Sequence, residues 1–261
     1  MGWRKDVVLA AGSHYVLRDM NLTGQNALVV GGGTGMGAAI ALALAKEGVR
    51  VGIAGRRKDK LADVAAQAGA GMIHTHEVDV ASRASVQRLF EWFDGELGRL
   101  HLLVNSAGIN VPRRSTAELS PEDWDRLMAI NASGAFYCLH YGLPYMRKHG
   151  EGLVINICST SGKRAAPLGG LGYNASKFAM AALGTSAGEE ERQNGIRITT
   201  LFPGEVDTPI MECRPTPPTA EHRAKILKAE DIGALVVALV KLPARLHVPE
   251  LIVKPLGQSF I

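Results

Sequence analysis

NALVVGGGTGMGAAIALALAKEG, residues 26–48, changes its period inside one glycine-rich turn. NALVVG is a mostly apolar run that reads as a strand, and GAAIALALAKEG reads as a helix. The turn between them, VGGGTGMG at residues 30–37, spaces its glycines as Gly31-x-x-x-Gly35-x-Gly37. Glycine lets the backbone turn sharply and approach a ligand closely. A helix that begins there offers free N–H groups and the positive end of its dipole. Strand, glycine turn and helix in that order are the setting in which a dinucleotide pyrophosphate is bound. Gly31, Gly33, Thr34, Gly35, Met36 and Gly37 are therefore the first candidate cofactor contacts.

The alternation continues along the chain. VRVGIAG (strand), KDKLADVAAQAG (helix), MIHTHEVDV (strand), SVQRLFEWFDGELG (helix) and LHLLVNSAG (strand) follow in turn. Residues 121–150 read as one long helix or two in series. LVINICS (strand), a helix carrying Tyr173, IRITTLFPG (strand), AEDIGALVVALVKL (helix) and PELIVKP (strand) complete the series. Strands alternating with helices predict a parallel sheet covered on both faces. The expected fold is α/β, a single-domain Rossmann-type doubly wound sheet of about seven strands over residues 23–261. Residues 1–22 form an N-terminal extension with no readable structure. The Pro-rich segment TPIMECRPTPPT, residues 208–219, is expected to be an irregular loop placed to act as a lid over a substrate.

Composition narrows the classes of function. The chain has 261 residues, 46% of them hydrophobic, enough for a full core. A formal charge of +4 is mild, and its basic residues stand in short groups without aromatic interleaving, so no nucleic-acid surface is expected. Cys138, Cys158 and Cys213 are widely spaced, which predicts neither a disulfide framework nor a zinc site. No apolar run has the length of a membrane span. The start MGWRKDVVLAAG lacks the apolar core of a signal peptide, and Asp6 stands where a myristoylation signal needs Ser or Thr. A soluble, cytoplasmic protein without a metal is the expectation. His74 and His76 alternate on a strand with no third ligand near, so they read as ordinary strand residues. Trp92, Phe93 and Trp124 read as packing anchors, and His140 and His149 as structural residues of the long helix.

The end of the second strand reads Gly55-Arg56-Arg57-Lys58, with no acid before Asp59. An acid there would bind the ribose 2′-hydroxyl of NAD, whereas an arginine accommodates the 2′-phosphate of NADP. NADP(H) is the expected cofactor, with NAD(H) as the alternative. Arg56 is the expected phosphate partner, with Arg57 beside it.

Tyr173-Asn174-Ala175-Ser176-Lys177 puts a phenol and an ammonium four residues apart, neighbours on one helix face. Bringing a Tyr from its ordinary pKa of about 10 to neutrality needs roughly 4 kcal/mol in favour of the phenolate. One positive charge at ~4 Å supplies ~4 kcal/mol at an effective dielectric of ~20. Lys177 is thus strong enough to make Tyr173 a proton donor and acceptor.

With these elements in order, the chain resembles the short-chain dehydrogenase/reductase family from about residue 23 onward. Gly31, Gly35 and Gly37 match the family's glycine motif. Asp79 in EVDV, with Val80 beside it, matches the acid that contacts adenine. NSAG, residues 105–108, matches the family's Asn-Asn-Ala-Gly and places Asn105, Ala107 and Gly108 at the cofactor. Asn131 in INASG and Ser159 in ICSTSG match the catalytic Asn and Ser, and Tyr173 and Lys177 complete the set. FPGEVDTP, residues 202–209, matches the element in which Pro203 and Gly204 precede Val206 and Thr208, facing the nicotinamide amide.

The resemblance implies an oxidoreductase that interconverts a small-molecule alcohol and a carbonyl. Tyr173 is its general acid and base, Ser159 polarises the carbonyl, and Lys177 tunes Tyr173 and holds the nicotinamide ribose. Asn131 fixes a water that links Lys177 to solvent. Helices within 121–149 and 172–193 are expected to pack across a two-fold axis, giving a homodimer or homotetramer.

Three departures from the family pattern stand out. Val30 replaces the usual Thr, Ser106 replaces the second Asn, and the loop KRAAPLGGLG before Tyr173 is long enough for Thr160 or Ser161 to compete with Ser159. Ser159 is preferred because it ends the strand run LVINICS. The ending PELIVKPLGQSF resembles relatives acting on small hydroxy acids or hydroxy-amino acids more than fatty-acid-synthesis reductases. Arg113 and Arg114 read either as a solvated loop pair or as partners of a substrate carboxylate. Two other functions remain in view: an NADPH-binding sensor without turnover, and a sugar-nucleotide epimerase or dehydratase, which needs a longer C-terminal domain than the residues after Pro203 supply.

Overall fold

The computed structural model describes residues 21–259. The order is β1 (Asn26–Val30), α1 (Gly35–Lys46), β2 (Arg50–Gly55), α2 (Lys58–Ala65), β3 (Ile73–Glu77), α3 (Arg83–Glu96) and β4 (Leu102–Asn105). There follow α4 (Pro121–Leu127), α5 (Gly134–Arg147), β5 (Gly152–Ile157), α6 (Leu171–Glu191), β6 (Ile196–Pro203) and β7 (Val206–Asp207). Then α7 (Ala220–Lys225), β8 (Leu227–Lys228), α8 (Ala229–Val240) and β9 (Glu250–Val253) complete the described residues. Seven strands form one sheet in the order β3-β2-β1-β4-β5-β6-β9, and β7 pairs with β8 outside it. Every pairing is parallel.

Burial follows position in the sheet. All residues of β1, β4 and β5 are buried, because helices cover both faces. The edge strands β3 and β9 hold only partly buried and exposed residues. On one face, Ile40 and Leu44 of α1 meet Ile232 and Val236 of α8 over Val29, Val51 and Val104. The two helices approach so closely that a Cβ at Gly233 would stand 2.9 Å from the Ala39 carbonyl. On the other face, Phe90 and Phe93 of α3 and Leu143 and Met146 of α5 pack over Leu28, Leu103 and Val154. Burying a Phe or Leu side chain contributes about 1.5–3 kcal/mol, so these two layers carry much of the stability.

Several local expectations are refined. The long helical run 121–150 is two α-helices joined through a π-helical stretch, Met128–Ser133. That widened turn carries Asn131 inward. The Pro-rich segment is more ordered than a plain loop: Pro209–Cys213 form a 3-10 turn, and Thr219 caps α7 by accepting from His222 N at 3.2 Å. Phe93 is a buried anchor and Trp92 stacks on His76 with centroids 4.7 Å apart, but Trp124 is 36% exposed and anchors no core. His74 faces Glu96 at 2.9 Å, while His140 and His149 are exposed. Leu22, placed by sequence in the extension, is buried in the core. The rest of that extension, residues 1–20, lies outside the described residues. Among the described residues, no helix is long and apolar enough to cross a membrane.

Candidate active site

The strand order reverses between β1 and β4, so the loops leaving their C-terminal ends diverge and open a crevice. Gly31, at the end of β1, has φ +87°, and a Cβ there would lie 2.5 Å from the Ala107 amide nitrogen. Only glycine lets the turns after β1 and β4 touch. Gly37 is buried below, where a Cβ would run into the Gly31 carbonyl, so α1 seats directly against the turn. Gly31, Gly33, Thr34, Gly35 and Met36 line a cavity of about 420 Å³ beside the start of α1. The first turn of that helix holds no acidic residue, and its N-cap Thr34 makes no side-chain cap. Its N–H groups are therefore available to an anion.

One end of this cavity is basic. Gly55, Arg56, Arg57 and Lys60 line it together with Asp79 and Val80. Arg57 donates to Thr34 Oγ1 at 3.1 Å, which ties the basic corner to the glycine turn. Glu77, the residue paired with Gly55 across the sheet, is engaged by Lys58 at 2.8 Å. Lys60 was missed by sequence reading, although it follows Arg56 by one helical turn. Ala107 and Gly108 line the cavity as well. Asn105 does not: it is buried and donates to Asn156 Oδ1 at 2.9 Å, bridging β4 and β5. Its position one strand residue before the turn directs it into the sheet rather than the crevice.

Tyr173 and Lys177 stand on one face of α6 and both line the same cavity. The Lys177 ammonium lies 5.7 Å from the Tyr173 ring centroid and donates to the Ile157 carbonyl at 3.0 Å. Lys177 is only 4% exposed, so β5 holds a charged side chain in place from below. Asn131 is fully buried and is not among the residues lining this cavity. Its side chain accepts from Ile109 N at 2.8 Å and donates to Ile109 O and to Ser176 Oγ, both at 3.0 Å. It thereby clamps the loop after β4 to α6. A Cβ at Gly108 would stand 3.5 Å from Asn131 Oδ1 and 3.6 Å from Lys177 Nζ, so both groups converge on that glycine.

A second cavity of about 240 Å³ adjoins the first, and Tyr173, Met36 and Thr208 line both. Ser159, Thr160, Ser161, Pro203, Gly204 and Val206 belong to the second. Ser159 Oγ accepts from Ser161 N at 3.1 Å, opening the 3-10 turn Thr160–Gly162. That bond fixes the Ser159 side chain. The third wall is the 205–214 segment, closed by Gln258, which accepts from Glu205 N at 2.9 Å. Ion pairs of Asp207 with Arg223 (2.8 Å) and Lys228 (2.9 Å) hold this segment to α7 and β8. They keep the Asp207 carboxyl below the usual carboxylate range. No sequence signal pointed to Gln258, because its role depends on the chain end folding back.

Arg113 and Arg114 part company. Arg113 is exposed, whereas Arg114 is buried and lines the second cavity. The solvated-pair reading fails for Arg114, since three loops close over its guanidinium.

A family model described as short chain dehydrogenase matches residues 25–217. An uncharacterized oxidoreductase of Staphylococcus aureus strain MRSA252 is 32% identical over 237 residues, covering 90% of this chain and 98% of its own. Among solved structures, a closed form of serine dehydrogenase complexed with NADP+ superposes with a TM-score of 0.83 at 26% identity, covering 90% of this chain and 96% of that one. The 3-ketoacyl-(acyl-carrier-protein) reductase of Brucella melitensis complexed with NADH superposes at 0.82 and 26% identity, covering 89% and 98%.

Proposed function

The chain belongs to the short chain dehydrogenase family, and on that premise we propose that it is an NADP(H)-dependent oxidoreductase interconverting an alcohol and a carbonyl in a small molecule. The observation that carries this reading is Tyr173 in the wall common to the two cavities, with Lys177 behind it. The first cavity fits a dinucleotide: a glycine turn that a Cβ would fill, an acid-free helix start and a basic corner. Gly31, Gly33, Thr34, Gly35, Met36 and the residues around Asp79 would hold it. When bound, the nicotinamide supplies the hydride chemistry. Tyr173 gives a proton to the carbonyl oxygen during reduction and takes it back during oxidation. Ser159 donates to the same oxygen, where negative charge gathers in the transition state. Lys177 holds a positive charge 5.7 Å from the Tyr173 ring centroid, and Asn131 positions the loop that carries Gly108. NADPH oxidation measured over a panel of ketones, aldehydes and oxo acids tests the reading. Turnover is expected with at least one of them, and none with any would overturn it.

Similar proteins carry either dinucleotide, so the fold alone does not choose between them. Arg56 and the absent acid at Gly55 favour NADP(H). Hydrogen bonds to charged groups contribute ~1.5–3 kcal/mol each. Arg56 is exposed, so a preference for NADPH of about tenfold to hundredfold is expected. A Cβ is accommodated at Gly55, whose nearest neighbour to it is Leu61 Cδ2 at 3.7 Å. Gly55→Asp combined with Arg56→Ala should shift kcat/KM toward NADH. Equal efficiency with both dinucleotides in the unaltered protein would contradict the assignment.

Assembly is part of the same reading. Phe136 on α5 and Phe178 on α6 are each 45% exposed, and Leu171 is 49% exposed. We infer that α5 and α6 pack against a second copy to give a homodimer or homotetramer, since closed symmetric assemblies are the common form. Sedimentation at micromolar concentration should show the oligomer, and Phe136→Glu with Phe178→Glu should dissociate it. A monomer before substitution would refute the assignment.

A further inference from the structure

Arg114 is a buried cation with no carboxylate beside it. It is 6% exposed. Its Nε donates to the Val111 carbonyl at 2.8 Å, its Nη1 to Leu168 O at 2.9 Å, and its Nη2 to Cys213 O. Among the described residues it has no ion-pair partner. Carbonyls satisfy N–H groups but leave the positive charge itself uncompensated, and such a charge away from water is costly. The side chain is also no adaptable surface arm. Leu171 N donates to the Arg114 carbonyl at 3.1 Å, and Gly170, at φ +80°, has no room for a Cβ, which would lie 2.5 Å from Arg114 Cβ. Main chain and side chain are both fixed.

Among the described residues, the one carboxylate of the cavity it lines is engaged elsewhere. Glu205 is the acidic residue of that wall, and Arg214 holds its Oε1 at 2.7 Å while His222 Nε2 stands 3.1 Å from Oε2. Tyr173 and Ser159 line the same space. A guanidinium has more N–H groups than its three bonds to carbonyls use, and its planar fork matches a carboxylate. The cavity, about 240 Å³, lies below the roughly 300–1,000 Å³ of pockets that take drug-sized ligands. That volume suits a small molecule.

Resting on the oxidoreductase reading above, we propose that the substrate is a small hydroxy acid whose carboxylate pairs with Arg114 while its hydroxyl lies at Tyr173 and Ser159. In oxidation the hydroxyl-bearing carbon loses its hydrogen as hydride, two electrons with one proton, to the oxidised nicotinamide dinucleotide. The hydroxyl proton passes to the Tyr173 oxygen, the C–O bond becomes C=O, and the carboxylate is unchanged. The products are the oxo acid and the reduced dinucleotide. Arg114 acts as a binding residue that answers the substrate's charge and sets its distance from Tyr173.

Initial rates with NADP+ on 2-, 3- and 4-hydroxybutyrate and on the methyl ester of each test the proposal. At least one free acid should exceed its ester by about tenfold or more in kcat/KM. Arg114→Gln also removes bonds to three loops, so acid and ester should both slow. Loss of carboxylate recognition alone collapses the ratio between them, chiefly through KM. Equal efficiency of acids and esters in the unaltered enzyme overturns the proposal, as does a ratio that survives in Arg114→Gln. Should that variant fail to fold, competition in the unaltered enzyme decides: acetate should inhibit competitively with the hydroxy acid and acetamide should not, and equal effects overturn the proposal. Calorimetric titration with 3-hydroxybutyrate in the presence of NADPH, which cannot accept hydride, should show binding that Arg114→Lys retains in part, and no heat of binding from any of the three acids counts against it. Turnover of neutral alcohols without preference for acids would defeat this inference alone. No turnover of any alcohol or carbonyl would defeat the oxidoreductase reading with it.

Discussion

Tyr173→Phe should yield a folded protein that still binds NADPH but turns over about 10²–10⁴-fold more slowly, the range that general acid–base groups contribute. The substitution removes a single hydroxyl from a partly buried ring on α6, and among the described residues no hydrogen bond within the protein depends on that oxygen. Thermal unfolding should therefore be nearly unchanged. Fluorescence titration with NADPH separates binding from turnover, and kcat should carry most of the loss. Near-normal rates in Tyr173→Phe would mean that another group donates the proton, and the site would have to be reassigned.

Lys177→Met should cost at least as much activity, by a different route and with a stability penalty. The lysine is 4% exposed and donates to the Ile157 carbonyl at 3.0 Å, at the end of β5. Methionine fills the space but leaves that buried carbonyl without its donor, at a cost of about 1–3 kcal/mol. It also removes the positive charge that faces the Tyr173 ring at 5.7 Å. Activity and melting temperature should fall together, unlike in Tyr173→Phe, where activity falls alone. Lys177→Arg keeps the charge but brings a planar fork into a space shaped for an ammonium, so rescue should be incomplete. Full activity in Lys177→Met would remove Lys177 from the mechanism.

The layered α/β fold was legible because its cause is local. A parallel strand buried on both faces must be mostly apolar, and NALVV, LLVN and GLVINI, apolar but for one Asn each, show this without any partner in view. The glycine turn was legible for the same reason, since a backbone that passes within 2.5 Å of another at a would-be Cβ must carry glycine at that point. Tyr173 and Lys177 share a face simply because helical geometry sets four residues at about one turn.

What tertiary structure alone decided involves partners far apart in the chain. Asn105 and Asn131 stand in motifs read as cofactor contact and chemistry, and their partners within the protein are visible only in the fold: Asn105 bridges to Asn156, 51 residues on, and Asn131 clamps Ile109 to Ser176. The two halves of the Arg113-Arg114 pair are indistinguishable as sequence. One faces water, and the other is enclosed because carbonyls 54 and 99 residues away, Leu168 and Cys213, come to meet it. Gln258 reaches the 205 turn across 53 residues in the same way. Periodicity reports which face of an element is apolar, and composition of a turn reports its backbone shape. Neither reports which distant loops converge on one side chain, so burial of a charge, and with it the electrostatic character of the second cavity, emerges only once the chain has closed around Arg114.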